Sequence, residues 1–184
     1  MSFQQYVRDS EALYDQCCDS FQSGNDANGR RCATASVFFS FIAIESFINN
    51  MMDDFASLPA DLFTIHERGL LGESNVRFES SGKNAGQFVL TDQREYRRLE
   101  DRILFLIAKF GGGSKVDKGA NLWQKFEQAK QLRDRLTHPR KNEILTPSIN
   151  DTKEVLETAK EIIQLVSEKF GSLVSSMFNM ESSC

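Results

Sequence analysis

Residues 31–55 read RCATASVFFSFIAIESFINNMMDDF, and this stretch decides the fold class. Val37, Phe38, Phe41, Ile42, Ile44, Phe47, Ile48, Met51, Met52 and Phe55 cover well over half of a helical wheel, so it is expected to be a helix at the centre of a bundle. Upstream, Tyr6, Leu13, Cys17 and Phe21 give a sparser stripe, a first helix over 6–21, and Gly24 to Gly29 reads as a turn. Downstream, the central helix should stop before Pro59, and Leu62 to Leu71 forms a short element closed by Gly72. Helical spacing resumes over Asp92–Phe110, with Gly111 as its cap and a connector to Gly119. Ala120–His138 is the next helix, stopped by Pro139. Asp151–Phe170 carries Val155, Ala159, Ile162, Ile163 and Val166 on one stripe, with Asp151 and Thr152 as cap candidates. Residues 72–91, rich in Gly, Ser and Asn, fit either a long loop or a small hairpin. The expected fold is all-α, an up-and-down bundle of four or five helices in a single domain over residues 1–184.

Composition supports that expectation and narrows the function. A chain of 184 residues with 40% hydrophobic and 26% charged residues is long enough for one self-sufficient core and too apolar for wholesale disorder. Only three prolines interrupt it, which favours long helices. A net charge of −4 argues against coating nucleic acid by bulk charge, though not against a local basic patch. Cys17, Cys18, Cys32 and Cys184 match neither a zinc pair nor a redox motif and read as reduced thiols of a cytoplasmic protein. The N-terminus lacks signal-peptide character, and Val37–Ile44, the most apolar run, is too short to span a bilayer.

Several familiar patterns fail on inspection. Ser81-Gly82-Lys83-Asn84 has Arg77 where a phosphate loop needs glycine and Asn84 where it needs Ser or Thr. Gly111-Gly112-Gly113-Ser114-Lys115 follows a helix, so it is a connector. His66-Glu67-Arg68-Gly69 lacks the second histidine of a zinc-protease helix. No metal or cofactor site is expected.

The helix over 120–138 breaks its own pattern. Its stripe runs Leu122, Phe126, Ala129, Arg133, Leu136, so an arginine stands where periodicity reserves an apolar residue. Arg133 then snorkels, pairs with an acid such as Glu45, or binds an anion. Between residues 125 and 141, six cations (Lys125, Lys130, Arg133, Arg135, Arg140, Lys141) face Glu127 and Asp134, a local charge of +4. The same tract holds His138, one of two histidines in the chain, a side chain suited to proton transfer near neutral pH.

Arg133-Asp134-Arg135-Leu136-Thr137-His138 resembles the signature of the HEPN superfamily, an arginine, a polar residue and then a histidine a few positions on. Ser40 to Asn49 resembles that family's early core helix, which often carries an inward glutamate; Glu45 and Asn49 stand there as supporting residues. The resemblance implies an all-α bundle and, for many members, a metal-independent endoribonuclease of toxin or antiviral systems. Asp134 replaces the asparagine often found after the arginine.

Under that reading Arg133 clamps the phosphate and His138 serves as acid or base. Asp134, four residues before His138, orients the imidazole, while Lys130, Arg135, Arg140 and Lys141 hold the RNA. One motif histidine per chain is too few for both proton transfers, so a homodimer is expected to bring two motifs into one groove. Cleavage would leave a 2′,3′-cyclic phosphate and a 5′-hydroxyl, and an antitoxin or other partner protein would fit such a system. The alternative is a bundle of the same kind that binds a protein partner or nucleotide and cleaves nothing.

Overall fold

The computed structural model describes residues 2–111, 115–140 and 145–181, with side chains through Phe170. Six α-helices appear among the described residues: α1 (Phe3–Gln22), α2 (Asp26–Ala56), α3 (Ile65–Leu71), α4 (Leu99–Phe110), α5 (Asn121–Thr137) and α6 (Ile149–Glu181). A 3-10 turn covers Ala60–Leu62, and two strands, β1 (Ser74–Glu79) and β2 (Gln87–Arg94), pair antiparallel. The protein is therefore mostly helical but not all-α, because the segment expected as a loop or hairpin pairs as a hairpin over residues 74–94.

Three helices, α2, α3 and α6, start at side-chain caps rather than where their apolar stripes begin. Asn25 Oδ1 accepts the Asn28 N–H at 3.3 Å, so α2 begins inside the expected turn, ahead of Arg31. At α3, Thr64 and Glu67 form a reciprocal capping box. At α6 the cap is Ser148 rather than Asp151 or Thr152. Its Oγ accepts the Asp151 N–H at 3.1 Å, and Asp151 Oδ2 accepts the Ser148 N–H at 2.9 Å. The expected helix start at Asp92 is displaced to Leu99, because Gln87–Arg94 is taken by the ladder with β1.

The chain divides into two compact units, residues 1–47 with 106–184, and residues 48–105, with the division falling inside α2 and α4. In the first unit, Val37, Phe41, Ile44, Phe126, Ile162 and Val166 are buried in the core. Ser10, Ser36 and Ser40 are also buried and bond to one another between α1 and α2. Lys160 on α6 reaches Glu11 on α1 at 2.7 Å and Glu157 at 3.4 Å. Burial lowers this ammonium's pKa, but bonding to Glu11 and then Glu157 outweighs it, so the pKa lies above the ordinary 10.5. A raised folded-state value makes the tether's contribution complete below pH 10.5 and lost as pH climbs past it. Lys160→Met is therefore expected to flatten the alkaline fall in urea midpoint, measured on both proteins across that range.

By length and composition α2 is apolar enough to cross a membrane, which corrects the short span read from Val37–Ile44; 56% of its apolar window is buried within the protein, as in a core helix.

In the second unit α3 packs on the hairpin. Gly69 makes this contact possible: a Cβ there would meet Val76 Cγ2 at 2.6 Å and the Ser74 carbonyl at 2.9 Å. The carbonyl belongs to a paired strand and cannot swing away. Gly69→Ala is expected to destabilise this unit by about 1–3 kcal/mol, read as earlier loss of amide protection over 65–94 than over α5 and α6.

Candidate functional site

α5 buries Trp123, Phe126 and Ala129, at 4%, 0% and 6% exposure. The stripe thus starts at Trp123, and Leu122 is only half-buried. Arg133 continues the row, as its spacing requires. Its guanidinium carbon lies 4.9 Å from the centre of the Phe41 ring on α2. Nη1 donates to Glu45 Oε1 at 3.5 Å, and Nε lies 2.9 Å from Asp134 Oδ1. That second approach is an ion pair without hydrogen-bond alignment, so the buried Nε–H has no hydrogen-bond acceptor.

Of the three explanations for an arginine in an apolar row, the geometry matches pairing with Glu45, supplemented by the aromatic face. Glu45 is half-buried rather than buried, and the Arg133 side chain retains 25% exposure. Pairs this exposed contribute about 0–1 kcal/mol, and a cation over a ring adds a similar amount. The arrangement orients Arg133 more than it stabilises the fold.

His138 is the C-cap of α5. Its backbone N–H donates to the Asp134 carbonyl at 2.8 Å, with φ −127° and ψ 65°. Pro139 forces this departure from the helix, because a residue before proline is driven out of helical geometry. Asp134 and His138 consequently do not keep the side-chain register expected of a helical pair. The Asp134 carboxylate turns to Arg133, and the exposed imidazole makes no hydrogen bond among the described residues. The expected orienting contact between these two side chains is absent from this structure.

The basic tract divides between faces of α5. Arg135 and Lys125 line a cleft of about 280 Å³ against α6, where Asp151 and Glu154 stand opposite. Lys130 is half-buried and Arg140 is exposed; Lys141 lies outside the described residues, as does Cys184. Asn49 belongs to the second unit. Its Oδ1 accepts from Arg102, which also lies 3.7 Å from Glu73.

Sequence reasoning passed over that second arrangement. Asn49, Asp53, Glu73, Arg94 and Arg102 line a cleft of about 500 Å³, drawn from α2, β2, α4 and the turn before β1, too far apart in sequence to read as a motif. Glu73 is the one described non-glycine residue with positive φ, at 48°. Phe78 and Phe88, about half exposed, stack edge-on across the hairpin at 5.3 Å, with His66 5.2 Å from Phe88.

Cys17 is buried between α1 and α2 and is a poor nucleophile. Burial, followed by proximity to Cys18 and Cys32, pushes the Cys17 thiol above its ordinary value. Among the described residues, no group of three His, Cys, Asp or Glu side chains converges as a metal site would require. Set against known proteins, the chain matches no family model, no curated relative and no solved structure.

Proposed function

We propose that this protein is a metal-independent endoribonuclease of the HEPN type, acting through Arg133 and His138 at the end of α5 in a homodimer groove. The observation that carries the reading is an arginine held in one orientation but still 25% exposed, close in sequence to an exposed, uncommitted imidazole. The two residues are five apart, roughly 7.5 Å along a helix axis.

RNA cleavage by this route requires removal of the 2′-hydroxyl proton, protonation of the departing 5′-oxygen and a cation at the phosphorane. His138 handles a proton, and Arg133 supplies the cation once the phosphate displaces Asp134 from Nε. A second protomer's motif supplies the other proton transfer. Arg135, Arg140, Lys130 and Lys141 hold the strand, and toxin or antiviral work suits such an activity. The motif and its placement at the end of α5 support this reading.

A second reading has its own observation. Glu45 and Asp134 already neutralise Arg133, and the acids of α6 face Arg135 across their cleft. That charge balance favours a bundle that binds a protein partner or nucleotide without cutting RNA.

The test is incubation of a mixed RNA pool in EDTA with wild type and His138→Ala. The variant is expected to melt with wild type, because its exposed side chain holds no core, and to lose about 10²- to 10⁴-fold in cleavage rate. No cleavage by folded wild type transfers the case to the binding reading. Equal cleavage by both removes His138 from the site. RNA retention that falls steeply with salt would mark phosphate contacts by the basic tract.

A further inference from the structure

We propose that the apolar cleft where α4 ends and α5 begins, against the middle of α6, binds a medium-chain carboxylate. Its volume is about 250 Å³. Ile107, Trp123 and Ile162 form its floor, at 2%, 4% and 0% exposure, and Leu122, Val116 and Leu165 form its sides. Charged and amide side chains make up half the lining of the clefts along α5 and beside Arg102; here the lining is hydrocarbon apart from Lys115, Asp117 and Lys169. An apolar cavity of roughly 150 Å³ suffices to take up benzene, so the space here accommodates an alkyl chain of several carbons.

Polar groups stand at the rim, which selects the head group. Lys115, Lys169 and Asp117 are the charged residues lining the cleft, a balance of +1. Asp117 is committed to the turn, since its Oδ1 accepts the Gly119 N–H at 2.8 Å. The same turn is fastened by the Ala120 N–H to the Asp117 carbonyl at 3.0 Å and by Gln124 Nε2 to the Lys118 carbonyl at 2.5 Å. The lip of the cleft is therefore built before any ligand arrives. A carboxylate at Lys115, with Lys169 adding positive charge beside it and the chain over Trp123, matches both the charge and the wall chemistry. None of the proposed RNA-handling residues lines this cleft, so the two proposals stand or fall separately.

Trp123 is the chain's one tryptophan and reports on its own cleft. Titrating the full chain with hexanoate, octanoate and octanol below their micelle concentrations should change its emission saturably. Octanoate should bind roughly fifteenfold tighter than hexanoate, about fourfold for each methylene buried. It should also bind several-fold tighter than octanol, and the double variant Lys115→Ala with Lys169→Ala should erase that preference while leaving octanol affinity unchanged. Ala120→Phe, at an exposed position on the lip, should abolish binding of all three without changing the melting temperature. No saturable response in wild type, or an undiminished one in Ala120→Phe, overturns the site. Equal affinity for octanoate and octanol overturns the choice of an anionic ligand.

Discussion

Phe126→Ala is expected to cost about 3–5 kcal/mol of unfolding free energy, the largest effect of any single substitution considered for this chain. Phe126 is fully buried, with the Trp123 ring 5.3 Å away and the Phe41 ring 6.3 Å away. Truncation removes the aromatic volume at the seam of α2 and α5, and neighbours on two rigid helices cannot close around the void. The loss should appear as a lower urea midpoint with an unchanged slope, while Phe126→Leu should cost less than half as much. Phe41 also lies under Arg133, so the same void loosens the guanidinium's support, and any RNA cleavage should fall further than stability alone dictates. A loss below about 1 kcal/mol for the alanine variant would contradict the packed seam.

Ser10→Val is expected to cost about 2–5 kcal/mol, through two effects acting together. Ser10 Oγ donates to the Ser36 carbonyl at 2.9 Å and lies 2.8 Å from Ser40 Oγ, while Ser36 Oγ donates back to the Ser10 carbonyl at 2.9 Å. All three serines are essentially inaccessible to water. Valine strands the Ser40 hydroxyl without a partner and forces extra methyl groups between helices that small side chains hold close. Ser10→Ala removes the hydroxyl but adds no bulk, so it should lose only about 1–3 kcal/mol. Equal stability of Ser10→Val and wild type in urea would show that the hydroxyl cluster contributes nothing.

Much of the helical framework was legible because apolar spacing is a local property. The rows over 31–55 and 151–170 each lie within one observed helix, and Pro139 marks the end of α5 as its backbone chemistry requires. At two helix starts a capping side chain displaced the reading: Asn25 and Ser148 start α2 and α6, signals that hydrophobic periodicity does not carry, while the start expected at Asp92 was lost to strand pairing. The hairpin was legible only as one of two options. Its strands are short, and Phe78 and Phe88 face outward, so the inside-outside alternation that identifies a strand is weak.

The candidate site divides along the same line. Arg133 was conspicuous in sequence because a cation interrupts an apolar row, and Glu45 was nameable as its partner. The direction of Asp134 was not: an i,i+4 relation with His138 holds only while the helix continues, and Pro139 ends it there. The cleft joining Asn49, Arg94 and Arg102 was invisible, since its residues are up to 53 positions apart and carry no shared spacing.

By itself, then, the sequence determined where helices form, which long segment is buried on most sides, and that the end of α5 concentrates positive charge and a histidine. Those are consequences of side-chain chemistry acting over a few turns. Only the tertiary structure decided that residues 74–94 form a hairpin, that Arg133 rests between Phe41 and two carboxylates, and that α4, α5 and α6 leave an apolar cleft beside Trp123. Each depends on distances between segments remote in the chain, which packing sets and local spacing does not encode.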